Sequence, residues 1–190
     1  MYRLRLLVPF LLILGLSACA TSVWDSDEMV AKSHYVHKGP PSITLVTVIQ
    51  SKTGGGGHSG LMINAHERVI YDPAGNFNNG ANRGIVAERN DLLFGITPPI
   101  LDAYYDFHSR EEWYVVTQEI EVTPEIAALI YQRTVANGSG AAAFCANNIS
   151  AILHNIPGFE SIRVSLSPLR IMEDFAKLPG VKTNKIYQVD

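Results

Sequence analysis

Cysteine is nearly absent from this chain of 190 residues: Cys19 and Cys145 are the two present, so a framework of several disulfides is excluded. No block of like charge occurs either. A formal net charge of −3 with mixed signs removes the basic footprint of a nucleic-acid binder, and no nucleic-acid partner is expected. Carboxylates are not clustered, His34 and His37 fall in a polar N-terminal stretch, and His108 and His154 stand singly, so neither a metal site nor a cofactor is expected. The four glycines 54–57 lack the lysine and serine of a phosphate-binding loop. No internal repeat occurs. The apolar run at residues 6–16 is too short to span a bilayer as a permanent helix.

That run does fit the core of an export signal. Arg3 and Arg5 precede it, and Leu16-Ser17-Ala18-Cys19 ends it with small residues. The ending resembles the lipobox of bacterial lipoproteins, in which the chain is cut before the cysteine and the new N-terminus is thioether-linked to diacylglycerol. The resemblance implies a signal peptide over residues 1–18, acyl chains such as palmitate attached at Cys19, and the membrane as a partner. Ala20, not Asp, follows the cysteine, which implies transfer to the outer membrane, facing the periplasm. Several acyl chains hold a protein far more firmly than one. Residues 19–41 then read as lipidated cysteine and polar tether, ending in Gly39-Pro40-Pro41, and residues 42–190 as one domain.

Within the domain, strands come first and helices later. Residues 43–49 are β-branched and apolar, and the glycine run turns the chain into a second strand, residues 58–63. Residues 68–71 complete a hairpin that stops at Asp72-Pro73. A loop rich in asparagine and glycine follows, then a short helix near residues 100–107 and a strand at 113–120. Helices are predicted to start at Thr123-Pro124, near Cys145 and at Ser167-Pro168. The last residues, 185–189, are predicted to return as a strand. The expected class is α+β, a small antiparallel sheet packed with helices.

If Cys19 carries lipid, Cys145 is a lone thiol in an oxidising compartment. Near the first turn of a helix, unpaired N–H groups and the helix dipole favour the thiolate. His58, just after the glycine run, is the best candidate for a base, and Asp72 could accept a bond from its second ring nitrogen. Asn76, Asn78, Asn79 and Arg83 make the adjoining loop a candidate substrate-binding rim. Each residue also has a plainer reading: Cys145 as a small core residue beside Ile149 and Ile152, His58 as a strand cap, Asp72 as a turn residue.

Their order is the informative part. Gly57-His58-Ser59-Gly60-Leu61-Met62-Ile63, Tyr71-Asp72-Pro73 and Phe144-Cys145-Ala146-Asn147-Asn148 resemble the circularly permuted papain-like thiol hydrolases and acyltransferases, relatives of NlpC-type cell-wall peptidases and of the lecithin:retinol acyltransferase group. One residue departs from that pattern: the permuted family usually has Asn before its cysteine, and here Phe144 stands there. The resemblance implies a permuted papain-like (NlpC-like) fold and a cysteine hydrolase, of peptidase, amidase or acyltransferase type. It would cleave an amide or ester of a cell-wall peptide or a lipid, with Cys145, His58 and Asp72 as its catalytic residues. The alternative is a catalytically silent lipoprotein of the same fold that binds envelope ligands or proteins.

Overall fold

Seven residues in succession with apolar or β-branched side chains, 43–49, make a strand that buries both faces. That strand, β1 (Ser42–Gln50), directs Ile43 and Leu45 to one side and Val46 and Val48 to the other. Each aliphatic side chain removed from water there contributes about 1.5–3 kcal/mol. A computed structural model describes residues 25–79, 82 and 84–188. The expected signal peptide, Cys19 and Arg83 lie outside the described residues.

Around β1 run β2 (Gly56–Asn64), β3 (Arg68–Tyr71), β4 (Ala87–Arg89), β5 (Leu92–Phe94), β6 (Trp113–Glu121) and β7 (Lys182–Ile186). They form one open antiparallel sheet of seven strands in the order β4-β5-β3-β2-β1-β6-β7. The helices are α1 (Asp27–Lys32), α2 (Pro98–Ser109), α3 (Pro124–Asn137), α4 (Cys145–His154) and α5 (Pro168–Phe175). The class is α+β, as expected, but the sheet is larger than predicted. The β4–β5 hairpin escaped the sequence reading because each strand is three residues long, too short for period-two alternation to register. Its turn is Asn90-Asp91, both in the left-handed region at φ 52° and 60°. The terminal strand begins at Lys182, three residues earlier than predicted.

The two faces of the sheet carry separate cores. Ile43, Leu45, Leu61, Ile63 and Tyr71 pack with Ile130 of α3, Ile149 and Leu153 of α4, and Ile171 and Phe175 of α5. Val46, Val48, Met62 and Ile70 pack on the other side with Phe77 and with Tyr104 of α2. Caps mark the helix starts as their sequences imply: Thr123 accepts from the Ile126 N–H at 3.3 Å, and Ser167 from the Arg170 N–H at 3.4 Å. The described part of the expected tether, residues 25–41, is bonded to the domain. The Asp25 N–H donates to the Glu88 carbonyl at 2.9 Å and the Arg68 N–H to the Tyr35 carbonyl at 2.8 Å.

Candidate active site

Side-chain alternation brings the first two candidates together. On β2 the residues His58, Gly60 and Met62 share the α2 side of the sheet, and on β3 Ile70 does so as well, which directs Asp72, two residues on, to the same side. A bulge sits between Val48 and Ile49 opposite Gly57, next to His58. The His58 Nε2 lies 2.6 Å from the Asp72 Oδ1, with both side chains largely buried. The Tyr104 hydroxyl of α2 donates to the same Oδ1 at 2.8 Å.

Two glycines make this crowding possible. A Cβ at Gly75 would fall inside the Asp72 carboxylate, and one at Gly60 would lie 2.5 Å from the Tyr104 hydroxyl.

Cys145 arrives from the opposite face. The β2–β3 ladder ends at the Leu61–Tyr71 pair, so the edge of β2 at His58–Gly60 is open, and the start of α4 meets it there. His58 and the backbone N–H groups of Ser59 and Ala146 act on the Cys145 thiol and favour its charged form. With the His58 Nε2 engaged by Asp72, the Nδ1 is the nitrogen left for sulfur. The N-cap of α4, Phe144, has no side chain that can cap, so the first-turn N–H groups are not spent on one. Just before it, Ala143 is held at φ 66°, a left-handed conformation uncommon outside glycine.

The charges follow from this geometry. Burial alone would lower the His58 pKa, but the Asp72 carboxylate, together with hydrogen bonds to Asp72 and Cys145, outweighs it and raises the value to about 10. Burial likewise opposes the charge on Asp72, and the His58 cation holds its carboxyl below the usual range. For Cys145, burial pushes the thiol up, whereas the hydrogen bond and charge of His58 bring it below its ordinary value. The arrangement therefore favours thiolate facing imidazolium.

The loop candidates divide. Asn76 lines a cleft of about 410 Å³ together with His58, His108, Arg110 and Trp113. Asn78 does not reach it. Its side chain is buried inside the loop, donating to Glu88 at 3.1 Å and accepting from the Gly84 N–H at 3.0 Å, so it holds the loop and does not form a substrate rim. Asn79 is exposed and outside the cleft lining. Cys145 is 7% exposed and is not among the lining residues.

Three neighbours were missed. Tyr104 and His108 lie four apart on α2, one face of one helix, yet nothing local reveals that this face covers His58. The His108 ring stacks on His58 with centroids 5.4 Å apart, and burial lowers its pKa to about 4. Asp91, at the β4–β5 turn, accepts from the Gly140 N–H at 2.7 Å and the Ala74 N–H at 3.2 Å, tying the Asp72 turn to the loop before Cys145. One atom each from His58, Asp72 and His108 lie within 4.8 Å of one another, a donor set able to hold a metal ion that the scattered histidines did not suggest. No protein family, curated protein or solved structure matches this chain.

Proposed function

We propose that this protein is a thiol hydrolase or acyltransferase of the permuted papain-like kind, cleaving an amide or ester bond in a cell-wall peptide or a lipid. The observation that carries the reading is the Asp72–His58 hydrogen bond with the Cys145 thiol under the influence of that imidazole, the three residues coming from the end of β3, from β2 and from the start of α4.

The chemistry follows from that chain. The Cys145 thiolate adds to the carbonyl carbon, and the oxyanion is held by the unpaired N–H groups of the first turn of α4, that of Cys145 among them. Collapse expels the amine or alcohol, which takes its proton from the His58 imidazolium, and leaves a thioester on Cys145. Water or an acceptor alcohol or amine then attacks the thioester, giving its proton to His58, and the thiolate is released. Asp72 keeps the imidazole in one tautomer and orientation, as a buried carboxylate does in a triad. Tyr104 in turn holds Asp72.

The site of action in this reading is the bacterial envelope, with lipid on Cys19 anchoring the chain to the outer membrane from the periplasmic side. No helix among the described residues is long and apolar enough to cross a membrane, which is compatible with such an anchor. A Cys19→Ser variant labelled with a palmitate analogue should lose the label that the wild type carries.

The decisive experiment is an incubation of the purified protein with cell-wall peptides and with phospholipids, products read by mass spectrometry, beside Cys145→Ser. Turnover by the wild type and none by the serine variant is expected. A hydroxyl at this position can use the same neighbouring groups, His58 and the N–H groups of Ser59 and Ala146, so the melting temperature should move by no more than about 2 °C. A serine variant that melts far lower while the wild type turns over nothing would favour the silent binding lipoprotein.

A further inference from the structure

His108 is 9% exposed, and its Nε2 is buried with no hydrogen-bond partner among the described residues. An imidazole nitrogen left so is uncommon, because a buried polar atom without a partner carries its full desolvation cost. The neighbours of that ring are a second imidazole and a carboxylate: His58 stacks on it, and single donor atoms of His58, Asp72 and His108 lie within 4.8 Å of one another. Two of the three, His58 and His108, also line the cleft, so the group is reachable from solvent.

We propose that His58, Asp72 and His108 form a binding site for a divalent transition-metal ion of the zinc class, occupied in competition with the proton held between His58 and Asp72. Two imidazole nitrogens and one carboxylate oxygen suit zinc, whereas magnesium and calcium take oxygen almost throughout. Three protein ligands leave a tetrahedral ion one open position, and the cleft supplies space for it.

The donor spacing gives the cost of loading. Ligands about 2.0–2.1 Å from a tetrahedral ion stand about 3.3 Å apart. The His58 Nε2 and Asp72 Oδ1 are 2.6 Å apart, closer than that, because a proton now joins them. The ion replaces this proton, which leaves to solvent, and the pair opens by somewhat under an ångström. Asp72 already has the outer partner that ligating carboxylates generally keep, the Tyr104 hydroxyl at 2.8 Å.

One consequence rests on the proposed hydrolase function, while metal binding itself does not. With its Nε2 on the ion, the neutral His58 ring carries its only proton on Nδ1, and giving that proton to a leaving group would require an imidazolate. Occupancy therefore arrests turnover, and the thiol site has a built-in metal brake.

Calorimetric titration of the purified protein with zinc chloride tests the site. A single equivalent should bind to the wild type and to Cys145→Ala, and His108→Phe, which keeps the buried aromatic volume, should weaken binding by about tenfold or more. Cobalt titrated into the wild type should give the visible bands of a tetrahedral nitrogen–oxygen site without a thiolate charge-transfer band, a readout that needs no variant to fold. Zinc binding that disappears in Cys145→Ala and survives in His108→Phe would mean a thiolate–imidazole site and overturn the assignment. So would the absence of any binding to the wild type below millimolar zinc. Binding as expected without inhibition of a measured turnover would leave the metal site standing and sink the hydrolase reading of His58 instead.

Discussion

Replacing Asp91 separates the two loops that present the thiol and its orienting carboxylate. The Asp91 carboxylate oxygen Oδ2 accepts from both Gly140 and Ala74, and its backbone carbonyl accepts from the Asp72 N–H at 2.8 Å. Ala74 stands at φ 59°, so this bond also supports a turn that would ordinarily want glycine. Asp91→Gly is the cleanest cut, since glycine adopts the φ of 60° at this position without strain. Two N–H groups lose their acceptor at about 1–2 kcal/mol each, and added freedom in the unfolded chain costs about 0.5–1 kcal/mol more. Part is returned because a desolvated charge disappears. A net loss of about 2–3 kcal/mol corresponds to a fall of about 4–12 °C in melting temperature at this chain length. Asp91→Asn keeps an oxygen acceptor and tolerates the left-handed backbone, so it should melt within about 3 °C of the wild type.

The pH dependence distinguishes acceptor from charge. Burial raises the Asp91 pKa above its ordinary value, against the two backbone bonds that lower it. A raised folded pKa means that the acid form contributes stability in full below the unfolded value of about 3.9, and that this is lost as pH rises through the folded value. The asparagine variant avoids that loss. Its melting temperature relative to wild type should be highest near neutral pH and fall as the pH drops toward about 4. Melting by circular dichroism and the rate of Cys145 alkylation measure both effects. An Asp91→Gly protein that melts and alkylates like the wild type would refute the staple.

Three further outcomes are expected. In chelator-containing buffer, alkylation of Cys145 by iodoacetamide should persist at neutral pH in the wild type and decline as pH falls through the lowered thiol pKa, and His58→Ala should move that rise to higher pH; unchanged profiles would disconnect the two residues. Gly60→Ala should displace the Tyr104 hydroxyl and slow alkylation more than Tyr104→Phe, which loses one hydrogen bond without a clash; equal rates in all three proteins would make that bond irrelevant to the thiol. Arg163 donates to Asp174 at 2.6 and 2.8 Å and holds that carboxyl well below the usual range, so the pair's stabilisation is present above about pH 4 and lost as pH falls toward the folded value. Arg163→Met should therefore lower the melting temperature at neutral pH and by less in strong acid, where an equal drop at both would count against the ion pair.

Local chemistry was enough to locate β1, β2, β3, β6 and the starts of α3 to α5, because β-branched runs, prolines and capping hydroxyls act within a few residues. It was also enough to name His58, Asp72 and Cys145 as candidates, because their order along the chain added to local features that each had a plainer reading alone. Only the tertiary structure decided what those groups touch. Tyr104, His108 and Asp91 are ordinary residues in sequence, and each enters the site through contacts more than thirty positions away, made when α2 covers one face of the sheet and the β4–β5 turn reaches the loop before α4. Asn78 shows the converse: a polar loop residue that looked available in sequence is consumed by Glu88 and the Gly84 N–H once the loop closes on itself. Hydrogen-bond demand inside a folded loop is a property of its three-dimensional closure, and no pattern along the chain encodes it.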